Sequence, residues 1–295
     1  MKPIDVAMMV YGKPYHTAVA LHSLYKHSGH LINKIYVTFE KKQPFEADTE
    51  ILKDLLKGLP VEYNVSKRFF GPRDMSQGFI QRLKFYIPSY RQSIKYQYAW
   101  EKSKNKYLFV LHNDMLFSGD LLSFYLNEIK DDLAIGTIGQ CWNCPAFGDL
   151  CDSHRYFEYR PTASEIVKLY ENFPIQRAVE QGMVGEDKLG WPLPECRLNE
   201  FVTLFNLPKV RRLGIPWGTV RPFGIHSNLD FGMPWFRDVS LRGYKFRSVD
   251  YSEYALHGWT SNSAGGTPSL KNQDLYFIEE QEAKKMLESP NFKAV

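Results

Sequence analysis

Within the first 111 residues, four short apolar or β-branched runs, Ile4–Tyr11, Ile35–Glu40, Val61–Ser66 and Tyr107–Leu111, alternate with amphipathic stretches. Strands that alternate with helix-length segments predict β/α units and a mainly parallel sheet flanked by helices. The intervening helices are expected at about Tyr15–His27, near Ala47–Lys57, and as one long helix over Tyr86–Ser103. This pattern places function after the last run. In open α/β sheets, ligands bind beyond the carboxyl ends of strands, where loops present polar groups without disturbing the core. The strand Tyr107–Leu111 ends in His112-Asn113-Asp114, with a helix expected to open near Ser118 or Gly119.

A carboxylate directly after a buried strand costs several kcal/mol unless a partner compensates it. A divalent cation is one such partner. Mg²⁺ and Mn²⁺ take one or two protein carboxylates plus substrate phosphate oxygens, and imidazole also suits Mn²⁺. The two-residue period of a strand puts His112 and Asp114 on one side, facing a common ion. Taken alone, the tripeptide suits a helix cap and a satisfied core histidine better than a metal site, so its weight depends on what lies downstream.

Downstream, Leu229-Asp230-Phe231-Gly232-Met233-Pro234-Trp235 reads as an acidic residue opening a helix that closes on Gly243-Tyr244. A strand at Lys245–Val249 follows, then His257. This segment, together with the β/α pattern of the first 140 residues, resembles the GT-A glycosyltransferases, especially family 2 members. The resemblance implies a GT-A type, Rossmann-like sheet in a single catalytic domain over 1–295. Its parts would be a nucleotide-sugar-binding half (1–140), an irregular insertion on the acceptor side (141–220), and a catalytic segment with a C-terminal tail (221–295).

It also implies an enzyme that transfers a sugar from a nucleotide-sugar donor to a hydroxyl of a glycan or glycolipid, with Mn²⁺ or Mg²⁺ and inversion. Asp114 corresponds to the metal-binding acid, Asp230 to the base and His257 to a late metal or phosphate contact. His112 stands where the first acid of the Asp-x-Asp motif is usual. Asp230 lies about two residues from the usual place of the acids, which keeps Asp238 and Glu186 open as bases. Arg91 and Lys95 are candidates for the pyrophosphate, Asn113 for the donor, and Tyr11 for stacking on the base. A solvated helix face and loop packing are the plainer alternatives for Arg91, Lys95 and Tyr11.

Three of the four cysteines cluster in a Cys-x-x-Cys and a Cys-x-x-His: Cys141, Cys144, Cys151 and His154. Four soft ligands match the count of a closed structural Zn²⁺ site, with Cys196 as a substitute fourth. Packed free thiols and a disulfide are the alternatives, the latter disfavoured inside a cell.

Several classes lose their support. No dinucleotide fingerprint, P-loop, zincin helix or nucleophile elbow occurs. The net charge of +4 is spread along the chain, against a nucleic-acid partner. No run nears the roughly 18 apolar residues of a membrane span, and the start lacks a signal-peptide pattern. The expectation is a cytoplasmic protein, with peripheral association at the inner face of the membrane. A nucleotidyltransferase, and a non-catalytic nucleotide- or carbohydrate-binding protein on the same scaffold, are the rivals.

Overall fold

The computed structural model describes residues 2–70, 78–227, 229–260, 268–290 and 292. The strands are β1 (Ile4–Val10), β2 (Ile32–Phe39), β3 (Val61–Val65), β4 (Tyr107–Leu111), β5 (Met115–Phe117), β6 (Ala134–Ile138), β7 (Leu198–Asn206), β8 (Arg247–Ser248) and β9 (Ala255–His257). The helices are α1 (Pro14–Ser28), α2 (Thr49–Leu55), α3 (Phe79–Lys84), α4 (Pro88–Arg91), α5 (Gln97–Lys102), α6 (Leu121–Glu128), α7 (Ala163–Glu171), α8 (Arg177–Glu180), α9 (Leu207–Arg211), α10 (Met233–Ser240) and α11 (Gln273–Glu288).

Seven strands form one sheet in the order β3-β2-β1-β4-β7-β6-β8, and β5 pairs with β9 in a separate ribbon. Four of the six pairings in the large sheet are parallel, and only those made by β7 are antiparallel. The expectation of an α/β, mainly parallel sheet flanked by helices is met. β1 and β4 are buried throughout, as central strands of a covered sheet must be. Among the described residues, no helix is long and apolar enough to cross a membrane.

The structure corrects three expectations. The single helix over Tyr86–Ser103 is broken into α4 and α5, with α3 preceding them. Pro88 forces Ile87 into an extended conformation, and Tyr96 turns left-handed at φ 67° just before α5. The helix after β4 opens at Leu121, capped by Asp120, whose side chain accepts from Ser123 N; Met115–Phe117 are committed to the ribbon instead. Finally, the stretch expected to be irregular contains β7, which sits between β4 and β6 with every residue buried.

On one face of the sheet an aromatic cluster joins α5, β7 and α10. Trp235 lies edge-on to Trp100, Phe205 and Phe223 at centroid distances of 6.2, 5.5 and 5.3 Å. Trp235→Ala is expected to cost about 3–5 kcal/mol of stability through lost contacts and the cavity left behind, which denaturant unfolding would measure.

Candidate active site

The site forms where β4 meets the small ribbon. The β4–β7 ladder continues one step past the strand, with His112 N donating to Phe201 O at 3.2 Å. The chain then turns, and β5 runs antiparallel to β9 with Met115 opposite His257. Gly258 N donates to Asp114 O at 2.9 Å, which locks that register. His257 Nε2 therefore lies 3.3 Å from Asp114 Oδ1, and His112 Nδ1 lies 3.7 Å from the same oxygen. His112 and Asp114 do come together, but a turn joins them rather than strand alternation.

Among the described residues, His112, Asp114 and His257 are the one group of His, Cys, Asp or Glu side chains whose ligand atoms converge, all within 4.8 Å of one another. Asp114 Oδ1 and His257 Nε2 are buried, yet neither is aligned for a hydrogen bond. A divalent ion would satisfy both, and two imidazoles with one carboxylate suit Mn²⁺ or a similar ion. These residues fit a metal.

The electrostatics agree with that geometry. Burial opposes ionisation of Asp114, but the imidazoles of His257 and His112 outweigh it and hold the carboxyl well below its ordinary value. Burial also disfavours the charged form of His257, and Asp114 reverses this, raising the imidazole above its usual 6.5. The His257 ring stacks on Phe201 at 4.6 Å and 17° between planes, so its orientation is fixed on both sides.

Behind the His-Asp-His group lies a buried charge relay that sequence reasoning missed. Glu200, on β7, accepts from His112 Nε2 at 3.1 Å and from Arg197 Nη1 at 2.6 Å. Arg197 Nη2 in turn donates to Asp230 Oδ2 at 2.8 Å, where Gln140 Nε2 also donates at 2.9 Å. Burial works against ionisation of Glu200, and Arg197 and His112 overcome it, keeping the carboxyl well below its ordinary range. A signal was present in Arg197-Leu198-Asn199-Glu200, two charges leading into the apolar run Phe201–Phe205. Charged groups entering a buried strand need partners.

Lys95 enters from the segment before α5. Its Nζ sits 2.9 Å from His112 Nε2 and 3.7 Å from Glu200 Oε1, and 4.3 Å above the Phe231 ring. Burial lowers its pKa, with Glu200, Asp230 and Asp114 opposing. Gly224 allows this placement, because a Cβ there would fall 1.9 Å from Lys95 O. His112 Nε2 thus faces both an ammonium and a carboxylate. With its proton on Nε2, shared with Glu200, the lone pair on Nδ1 faces Asp114, the arrangement of a ligating histidine oriented by a second carboxylate.

Asp230 is part of this cluster, but it does not open a helix. Gly232, at φ 77°, precedes Met233 at the start of α10, while Asp230 Oδ1 accepts from Phe231 N. Asn113 Nδ2 donates to Thr17 Oγ1 at 3.4 Å, at the head of α1. Tyr11 lies half-buried with its ring 5.7 Å from Phe69.

Other candidates stand apart. Arg91 is buried and spent on Glu101, at 2.5 and 3.2 Å, and on Phe85 O at 2.8 Å. Asp238 is held by Arg221 through two contacts of 2.7 Å, and Glu186 is exposed and accepts from Ser164.

The four cysteines form no disulfide, and among the described residues Cys141, Cys144, Cys151 and His154 are not among the side chains whose ligand atoms converge. Cys141 Sγ turns to Ile138 O and Cys151 Sγ to Asp152 O. Cys196, rather than His154, joins the other three around a cavity of about 20 Å³. Burial pushes Cys141 up to about 11 and Cys144 up to about 12, which keeps both as neutral thiols.

No known family profile matches the chain, and no curated protein matches it. Among solved structures it is similar to a mannosyltransferase from Pyrobaculum calidifontis in complex with GDP-Man and Mn²⁺, at 9% identity and a TM-score of 0.46, over 84% of this chain and 54% of that one. It thus spans about half the length of that protein. It is also similar to mouse xyloside xylosyltransferase 1 in its apo form, at 17% identity and 0.41, over 84% and 86% of the two chains. A third is core-mannan synthase A from Aspergillus fumigatus in a Mn/GDP form, at 10% identity and 0.41, over 87% and 75%.

The Asp114–His257 pair carries a signed pH dependence. The raised His257 contributes stability that is fully present below the unfolded value of 6.5 and is lost as pH rises through its higher folded value. The depressed Asp114 contributes above 3.8 and loses that contribution only as pH falls through its folded value. In chelator, thermal unfolding should therefore show the protein losing stability as pH rises from about 6.5 through the raised folded value of His257, and His257→Gln should flatten that interval. Mn²⁺ affinity should rise over the same interval, because the ion competes with the imidazole proton.

Proposed function

We propose that this chain is a glycosyltransferase of the GT-A type, working in the cytoplasm. It moves a sugar from a nucleotide-sugar donor to a hydroxyl of a glycan or glycolipid acceptor, with divalent metal and inversion. The observation that carries this reading is one continuous cluster. A convergent His112-Asp114-His257 metal set is linked through Glu200 and Arg197 to the carboxylate of Asp230.

In this reading His112, Asp114 and His257 hold the ion, Mn²⁺ or Mg²⁺, which when bound supplies Lewis-acid neutralisation of the leaving diphosphate. Lys95 brings a further positive charge to the same place and contacts the diphosphate. Asn113 and Tyr11, beyond the ends of β4 and β1, bind the rest of the donor.

Asp230 takes the proton of the acceptor hydroxyl as general base. Arg197 and Gln140 both grip Oδ2, so the carboxylate is fixed in place while lone pairs stay open to a substrate. Fixing the base in this way supports catalysis through alignment, which alone can be worth several kcal/mol. Residues 141–220 supply acceptor contacts from their irregular part.

Nucleoside diphosphate titration with and without Mn²⁺, followed by a screen of nucleotide sugars for metal-dependent hydrolysis, tests this assignment. Mn²⁺ should strengthen nucleotide binding at least about tenfold; metal-indifferent binding would favour a non-catalytic scaffold instead. Asp230→Asn should lower turnover by about 10²–10⁴-fold with donor binding little changed. Asp114→Ala should lose the metal-dependent part of donor binding. Normal turnover in Asp230→Asn, or unchanged Mn²⁺ dependence in Asp114→Ala, would remove that residue from its role.

A further inference from the structure

Five large apolar side chains stand exposed within nine residues: Phe79 at 75%, Ile80 at 70%, Leu83 at 51%, Tyr86 at 49% and Ile87 at 48%. Contiguous apolar exposure of this kind marks an interaction surface, whereas single exposed apolar residues need no explanation. The segment is anchored from beneath. Phe85 is fully buried against Tyr90, Ile94, Ile215 and Ile225, its carbonyl accepts from Arg91 Nη1 at 2.8 Å, and Gln81 donates to Tyr90 Oη. The fold holds α3 and the following turn in place with their apolar side outward.

Beside this strip lies a hollow of about 540 Å³ lined by Lys41, Lys42, Lys67, Arg68, Phe69 and Ser89. Arg68 of the hollow lies over the Tyr90 ring, to whose hydroxyl Gln81 of α3 donates, and Ser89 follows Ile87 by two residues, so the hollow adjoins the strip. Arg82 and Lys84 add two exposed cations from α3 itself. Among the described residues none of these six cations is in an ion pair, and no carboxylate lines the hollow.

We propose that this face docks on an anionic lipid bilayer, with Phe79, Ile80, Leu83, Tyr86 and Ile87 entering the interface and the cationic hollow receiving a lipid phosphate. An apolar side edged by Lys and Arg is the chemistry that seats an amphipathic segment at a charged membrane surface. Charge argues against a second copy of the chain, since a symmetric contact would set these six cations against their own equivalents. Lys41 and Lys67 follow β2 and β3, which run parallel to β1 and β4, so docking turns the catalytic end of the sheet toward the bilayer.

Flotation with vesicles of phosphatidylcholine, alone or mixed with phosphatidylglycerol, tests the proposal without any donor sugar, so its outcome is separate from that of the transferase reading. Mixed vesicles should bind at least about tenfold more tightly than neutral ones, and high salt should reverse most of that gain. The triple variant Phe79→Ser/Ile80→Ser/Leu83→Ser and the pair Lys41→Glu/Lys67→Glu should each lose at least about tenfold in binding, with an unchanged unfolding midpoint. Equal binding to both vesicle types would overturn it. So would a dimer that the triple variant dissociates while vesicles go unbound, or saturation of the hollow by inorganic phosphate with no vesicle binding.

Discussion

Glu200 is a carboxylate set inside a strand with 1% of its surface exposed, and much of the site is arranged around it. Removing such a charge from water costs several kcal/mol, recovered only through close, well-aligned partners. Arg197 at 2.6 Å and His112 at 3.1 Å provide them. Meeting that one requirement draws β4 and β7 together at their site end, orients the imidazole of His112 toward Asp114, and stretches Arg197 across to Asp230. The same carboxylate that would destabilise an isolated strand thereby sets the spacing between the His-Asp-His group and Asp230.

Much of the parallel half is legible in the sequence because its signals are local. Ile4, Val6, Met8 and Val10, and the run Tyr107–Leu111, carry their burial in their own composition. Asp114 is legible too, as a charge that directly follows an apolar strand. Glu200 is harder, because β7 mixes Asn, Glu and Thr with its apolar residues, and its burial follows from lying between β4 and β6. The β5–β9 ribbon joins segments about 140 residues apart in sequence, a pairing that no local periodicity encodes. The break within residues 86–103 was readable at Pro88, but the left-handed turn at Tyr96 depends on the bridge between Lys95 and Gly224.

The two histidines of the site have different surroundings. His257 is clamped between Phe201 and Asp114 and lies on a ribbon whose register is fixed by Gly258. His112 stands in a turn, with Lys95 and Glu200 competing for the same ring nitrogen. The first imidazole is therefore a geometric fixture, and the second carries the coupling between Asp114 and the buried charges behind it.

The antiparallel strand β7, set between β4 and β6, has a consequence for how the chain assembles. β6 has no neighbour in the large sheet except β7 and the two-residue β8, and β4 has an open edge until β7 arrives. During synthesis, both edges stay uncovered until residue 206 has emerged. Unpaired strand edges are templates for wrong partners, and long-range pairings form slowly because loop closure comes first. The nascent protein spends its most vulnerable interval with β1 to β4 able to pair and β7, the strand that must join β4 to β6, still to come.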